Sequence, residues 1–214
     1  INLDEVSVTG SRASDDMPIT FSNVSKKDLS KRNLGQDLPI LLNFLPSVVT
    51  TSDAGAGIGY TGIRVRGSDA TRVNVTINGI PYNDPESQGT FWVNLPDISS
   101  SVENIQVQRG VGTSTNGSSA FGATINILTD GISQEGYTKI SRSYGSFNSQ
   151  KSTVKYSTGL INNKFEFSGR HSKIKSDGYI DRASSNLKSY FFQGLYKNDK
   201  GLFKLLVFVG FGIT

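Results

Sequence analysis

Beyond Gly131 the chain runs in alternating segments of roughly ten residues parted by polar turns, and a side-chain period of two dictates strands. Phe165, Phe167 and Gly169 alternate with Lys164, Glu166, Ser168 and Arg170. Tyr190, Phe192, Gly194 and Tyr196 alternate with Ser189, Gln193 and Lys197, although Phe191 and Leu195 interrupt the polar set. Strands are expected near 137–146, 149–160, 163–175, 185–198 and 201–212, with Gly145 and Asn162-Asn163 at turns and Ser176-Asp177-Gly178 in a longer loop. This is the pattern of membrane β-barrel strands, one face to lipid and the other to a wet lumen. A soluble sandwich with alternating aromatics reads the same way, so this half alone leaves both open.

Composition narrows the chemistry. There is no cysteine and a single histidine, His171, so a disulfide frame, a thiol nucleophile, a Cys-based metal site and a multi-histidine cage are all excluded. No metal, no cofactor and no catalytic residues are expected. The acidic neighbours Asp84 with Glu86 and Asp177 with Asp181 have nothing but proximity to support a hydrolase. Residues 1–130 carry nine basic and thirteen acidic side chains, net −4, whereas residues 131–214 carry thirteen basic and five acidic, net +8. The cations of the basic half (Lys151, Lys155, Lys164, Arg170, Lys173, Lys175) are dispersed singly along alternating segments, which argues against nucleic acid. The longest apolar run, Leu205–Phe211, falls short of the roughly 20 residues of a membrane-spanning helix. The chain begins at Ile1 without a basic-plus-apolar leader and reads as a processed or trimmed segment.

The first half is mixed. Leu3–Thr9 alternates and is followed by a polar linker; Ile19–Val24 is a strand; Ser25-Lys26-Lys27-Asp28 resembles a capping box opening a helix to about Asn33. Asp37 starts a second helix whose apolar face is Leu38, Ile40, Leu41, Leu42, Phe44 and Leu45, ended by Pro46. Ser52–Tyr60 is glycine-rich but lacks the Lys-Ser/Thr of a phosphate loop and no helix follows, so it is expected to be a flexible apical loop. Strands follow at Ile63–Gly67, Arg72–Ile77, Val102–Gly110 and Ala123–Leu128, with a tight hairpin turn at Asn78-Gly79.

The ordered set Leu41–Val48 (LLNFLPSV), Ile63–Gly67 (IRVRG), Arg72–Pro81 (RVNVTINGIP) and Val102–Thr129 (VENIQVQRGVGTSTNGSSAFGATINILT) resembles the plug domain of TonB-dependent outer-membrane receptors. It departs from the family where Asn78 stands for an acidic residue, Val111 for a proline and Ala123 for a second glycine, mild departures that concern local geometry more than the resemblance. The resemblance implies an α+β plug with a small mixed sheet over residues 17–131, followed by antiparallel transmembrane β-barrel strands over 132–214. Residues 1–16 are then a TonB-box-like extended segment and linker. The box itself, Leu3, Asp4, Glu5, Val6, Ser7, Val8 and Thr9, would add as a strand to a TonB-type energy-transducing partner.

The implied role is gating of energy-coupled import, across the outer membrane of a Gram-negative cell, of a scarce large nutrient: siderophore-iron, haem, cobalamin or an oligosaccharide. Such a protein is not an enzyme; a surface lipoprotein is a further conceivable partner. Ligand contacts are expected at Tyr60, Tyr82, Asn83, Asp84, Phe91 and Trp92, whose aromatic faces and hydrogen-bonding groups suit a sugar or a flat chelate. Arg64, Arg66, Glu103 and Arg109, charged in half-apolar strands, are expected to form a polar lock within the plug and between plug and barrel wall. A plugged barrel has about 22 strands, so about five leave it incomplete, and the chain reads as the N-terminal portion of a longer receptor. The alternative is a secreted or surface-attached adhesin module with a soluble β-sheet.

Overall fold

The computed structural model describes residues 12–111, 120–198 and 201–214, so the segment Leu3–Thr9 lies outside the described residues. Two five-stranded sheets and a short hairpin organise the chain. The first sheet begins with β1 (Thr20–Ser25), and Ser25 turns it into α1 (Lys26–Arg32). The Ser25 hydroxyl accepts from the Asp28 N–H at 3.3 Å and donates to the Asp28 carboxylate at 2.6 Å, which is the reciprocal cap that the sequence predicts.

The second helix is shorter than its apolar spacing predicts. α2 covers only Leu38–Leu41. After it the chain folds through successive tight turns that bury Leu42 and Leu45, and Ser47, at φ 63°, redirects it into β2 (Val48–Ser52). β2 pairs antiparallel with β3 (Thr61–Val65), so Ile63 and Val65 close over the leucines. A continued helix to Pro46 would have left this hairpin no way back to the core.

β4 (Val73–Ile77), β5 (Ile80–Pro81), β6 (Val102–Arg109) and β7 (Ala123–Thr129) complete the first sheet in the order β1-β6-β7-β4-β5. β4 and β7 run parallel and the other pairs antiparallel, which makes the sheet mixed. Asn78 and Gly79 both take positive φ (51° and 81°), the geometry of a two-residue hairpin between β4 and β5. Val24, Leu29, Val75, Ile105, Val107, Ile125 and Ile127 form the core, with the helices' leucines and Trp92 packed on it.

The second sheet is antiparallel: β8 (Tyr137–Gly145), β9 (Ser149–Ser157), β10 (Phe165–Ser176), β11 (Ser185–Asn198) and β12 (Gly201–Ile213), in the order β12-β11-β10-β9-β8 and unclosed. On β10, Glu166, Ser168, Arg170, Ser172 and Ile174 are buried toward the first sheet, while Phe165, Phe167, His171, Lys173 and Lys175 point outward. Outward rings stack across strands, Phe165 on Tyr196 at 4.8 Å and His171 on Tyr190 at 4.6 Å. The interruptions in the alternation have a reason. Phe191 joins the core of the first sheet and Leu195 is buried, so inward positions turn apolar where the surface they cover is apolar.

The glycine-rich loop between β2 and β3 is docked. The Ala54 carbonyl accepts from the Tyr179 N–H at 2.8 Å, and Ile58 is buried against Ile174 and Leu187 of the second sheet. Its free motion, expected from composition, is prevented by these contacts with the strands.

Candidate functional site

Where the two sheets meet, carboxylates of the first face cations of the second. Asp97 sits at φ 54°, before a short 3-10 turn (Ile98–Ser101) that leads into β6, and this left-handed backbone aims its side chain at the strands. Its Oδ1 accepts from Lys151 Nζ at 2.6 Å, Ser100 Oγ at 2.6 Å and Asn33 Nδ2 at 3.1 Å. Its Oδ2 accepts from Arg170 Nη1 at 3.0 Å, Thr153 Oγ1 at 3.0 Å and Ser172 Oγ at 2.5 Å. Arg170 is further held by Ser101 Oγ at 2.9 Å and Ser189 Oγ at 3.1 Å. The side chains of Asp97 and Arg170 are both 0% exposed.

A second junction lies at the end of β7. Asp130 Oδ1 accepts from Lys26 Nζ of α1 at 2.6 Å and Oδ2 from Lys155 Nζ of β9. Its backbone carbonyl accepts from Gln193 Nε2 at 3.0 Å and Lys204 Nζ at 2.9 Å. One residue thus ties a helix and strands β9, β11 and β12 together. Lys26 also pairs with Glu103 at 2.9 Å.

Burial pushes the Asp97 carboxyl up, but the charges of Arg170 and Lys151 outweigh it and hold the group well below the usual carboxylate range. Burial acts on Asp130 in the same way and is outweighed by Lys155 and Lys26. Lys26 is lowered by burial and raised further by Asp130 and Glu103, and ends above its ordinary value. Asp37 differs: burial raises its carboxyl to about 7, against weaker opposition from the Thr61 hydroxyl and the Gly59 N–H.

Residues 13–124, over half of the chain, match the family described as TonB-dependent Receptor Plug Domain. The chain belongs to this plug family. Over 161 residues it is 30% identical to "Vitamin B12 transporter BtuB" of Vibrio vulnificus (strain YJ016), covering 75% of this chain and 25% of that one. The chain therefore spans about a quarter of the length of the curated relative. Among solved structures it resembles "Copper transporter OprC" with a TM-score of 0.70 at 18% identity, over 90% of this chain and 31% of that one. It resembles the "Pyoverdine outer membrane receptor FpvA from Pseudomonas aeruginosa PAO1 bound to pyoverdine" with a TM-score of 0.68 at 14% identity, over 92% and 28%. The first sheet is thus the plug, and the second has the fold of a partial wall of an outer-membrane β-barrel.

The residues named from sequence fall in several places. Glu103 pairs with Lys26, and Arg109 donates to Ser22 Oγ at 2.7 Å and the Phe21 carbonyl at 3.3 Å, so both bind the plug to itself. Arg64 and Arg66 are exposed, and among the described residues neither is in an ion pair. Tyr60 and Phe91 are exposed and Tyr82 lies half-buried against the core. Trp92 is buried in the core, where its indole is closed to a ligand. Asn83 pins its own loop, accepting from the Val75 N–H at 2.7 Å and donating to the Val73 and Gln88 carbonyls at 3.0 and 2.8 Å. Asp84 accepts from the N–H groups of Ser87 and Glu86. An irregular loop has no ladder to satisfy its backbone, and these side chains supply the partners.

The plug–wall contacts at Asp97, Asp130, Lys151, Lys155 and Arg170 are not singled out by sequence. The usable signal is the phase of the alternation, which places Lys151, Lys155 and Arg170 on the lumen face, together with the opposite net charges of the two halves.

Proposed function

We propose that this chain is the plug and first wall strands of an importer that takes a scarce, large nutrient through the outer membrane, driven by a TonB-type partner pulling on Leu3–Thr9. The supporting observation is the Asp97 junction. A plug held to its wall by hydrogen bonds and ion pairs can shed them one at a time and exchange them for water as it moves, which an apolar seal cannot do without exposing its core. Within this reading Tyr60, Tyr82 and Phe91 offer aromatic surface to cargo, Asn83 and Asp84 shape the loop that presents it, and Arg64 and Arg66 are free to meet further wall strands.

The relatives' cargoes differ, so cargo is tested directly. Cells making the receptor are offered radiolabelled cobalamin and, separately, ferric siderophores, with the proton gradient intact or collapsed. Uptake of one cargo that stops on collapse and in Val6→Pro, which cannot pair as a strand, is the expected result. Uptake that continues without the gradient would make the protein a passive pore and overturn the proposal.

A further inference from the structure

Seen from the wall, the Asp97 junction is a binding site with an occupant. Cross-strand register sets three adjacent rows of the lumen face side by side: Lys151 with Ile174, Thr153 with Ser172 and Ser189, and Lys155 with Arg170. Four of these side chains, Lys151, Thr153, Arg170 and Ser172, converge on the one carboxylate. They are also tied to one another within the wall. Arg170 Nη1 donates to Ser172 Oγ at 2.9 Å and to Ser189 Oγ at 3.1 Å, and the Thr153 and Ser172 hydroxyls lie 3.1 Å apart. None of these bonds involves the plug, so the cradle keeps its shape when the plug moves.

The charge on this face has no answer within the wall. Lys155 and Arg170 stand directly opposite each other, a destabilising placement for like charges. The five strands contain one carboxylate, Glu166, and it lies on β10 four residues from Arg170, about 13 Å along the strand. Among the described residues every ion pair made by Lys151, Lys155 and Arg170 has a plug carboxylate as its acid, Asp97 or Asp130. One donor is left over. Arg170 is buried, yet its Nη2 has no hydrogen-bond partner among the described residues, and Asp97 meets the guanidinium at Nη1. A guanidinium holds an oxyanion best through two parallel N–H groups, one to each oxygen. Asp97 does not supply the second oxygen, because its Oδ1 is taken by Lys151, Ser100 and Asn33. The wall therefore offers an oxyanion more than the plug's own carboxylate uses.

We propose that Lys151, Thr153, Arg170 and Ser172 form an oxyanion-binding site on the wall, which the Asp97 carboxylate fills at rest and which takes a carboxylate of the cargo once the plug moves. With Asp97 gone, cations and hydroxyls face the lumen without a counter-charge, and charge complementarity selects an anionic group over a neutral one. When the site opens rests on the import reading; that it binds a carboxylate does not.

D97A removes the occupant and leaves a space the size of acetate, which is the probe. Unfolding of the detergent-purified protein is followed by Trp92 emission in sodium acetate or in sodium chloride of equal ionic strength. Acetate should raise the melting temperature of D97A saturably, by about 3–6 °C at ten times its half-saturating concentration, the shift that one bound ligand gives a chain of this size. Wild type, whose site is filled, and D97A/R170M, which lacks the guanidinium, should show no saturable rise. An equal response from D97A and D97A/R170M, or none from D97A, overturns the proposal. If D97A folds only when an anion is supplied, the readout is its refolding yield in acetate against chloride, and equal yields overturn the proposal. Uptake enters none of these readouts, so failure here is separable from failure of the import reading.

Discussion

Asp97 of the plug and Arg170 of β10 meet at 3.0 Å with neither side chain reached by solvent. Two buried charges from parts of the chain that fold as separate sheets depend on each other for neutralisation, and Lys151 at 2.6 Å adds a second cation to the same carboxylate. Six donors converge on its two oxygens, which makes the desolvation bearable.

Asp97→Asn should leave Lys151 and Arg170 buried without their counter-charge and cost about 3–5 kcal/mol. Arg170→Met should cost a similar amount. The two together should cost clearly less than their sum, because each single change strands the other's charge. Trp92, the one tryptophan and buried in the plug core, reports denaturant unfolding by its emission. Additive losses would show that the pair is not coupled.

Acid should loosen the junction late. Asp97 and Asp130 have folded-state values below those of unfolded carboxylates, near 3.9, so the stability they contribute is complete above that value and is lost as pH falls through the lowered folded values. Trp92 emission is expected to stay native at pH 4 and to shift only in stronger acid. Lys155→Met removes the largest charge acting on Asp130 and should move the acid transition to higher pH.

Asp37 works in the opposite sense. Its folded value, about 7, exceeds its unfolded one, so folding takes up a proton between the two and stability falls as pH rises from about 4 to 7. Asp37→Asn keeps an acceptor for the Thr61 hydroxyl, now at 3.0 Å, and removes the buried charge. The variant should match wild type at pH 4 and exceed it at pH 8 by up to about 4 kcal/mol, read as a melting-temperature difference that grows with pH. A difference independent of pH would place the effect elsewhere.

Where one rule decides an element, the sequence is a good guide to this fold. The five wall strands follow from period two alone, and Asn78-Gly79 names its own hairpin. Ser25 and Asp28 cap α1 as their spacing requires. α2 begins after Asp37 as expected, but its early end and β2 were not legible, because the leucines from Leu38 to Leu45 satisfy a helical spacing while tertiary packing buries them through turns. Asp97 is the clearest miss: nothing local in Leu95-Pro96-Asp97-Ile98 distinguishes it, and its importance comes from Lys151 and Arg170, more than fifty residues away. Contacts between sheets carry no local period and show only as the opposed net charges of the two halves.

Gln106 grips the peptide unit of Ala13 from both sides, accepting from the Ala13 N–H at 2.8 Å and donating to its carbonyl at 3.0 Å. A side-chain amide here replaces a strand partner, and Gln108 Nε2 steadies it at 2.9 Å while Arg12 holds Asn104. The chain just after the proposed box is thus fixed to β6 by side chains, without a ladder to propagate the hold, which is the kind of attachment that a pull can release singly. Gln106→Leu removes both bonds and leaves the Ala13 backbone groups unpaired, at about 1–3 kcal/mol for each buried group. Local opening should rise by about tenfold or more, seen as faster trypsin cleavage after Arg12 in the folded protein while Trp92 emission stays native. Gln106→Glu keeps the acceptor and loses the donor, and should fall between the two. An unchanged cleavage rate in Gln106→Leu would mean that this segment is held by something other than Gln106.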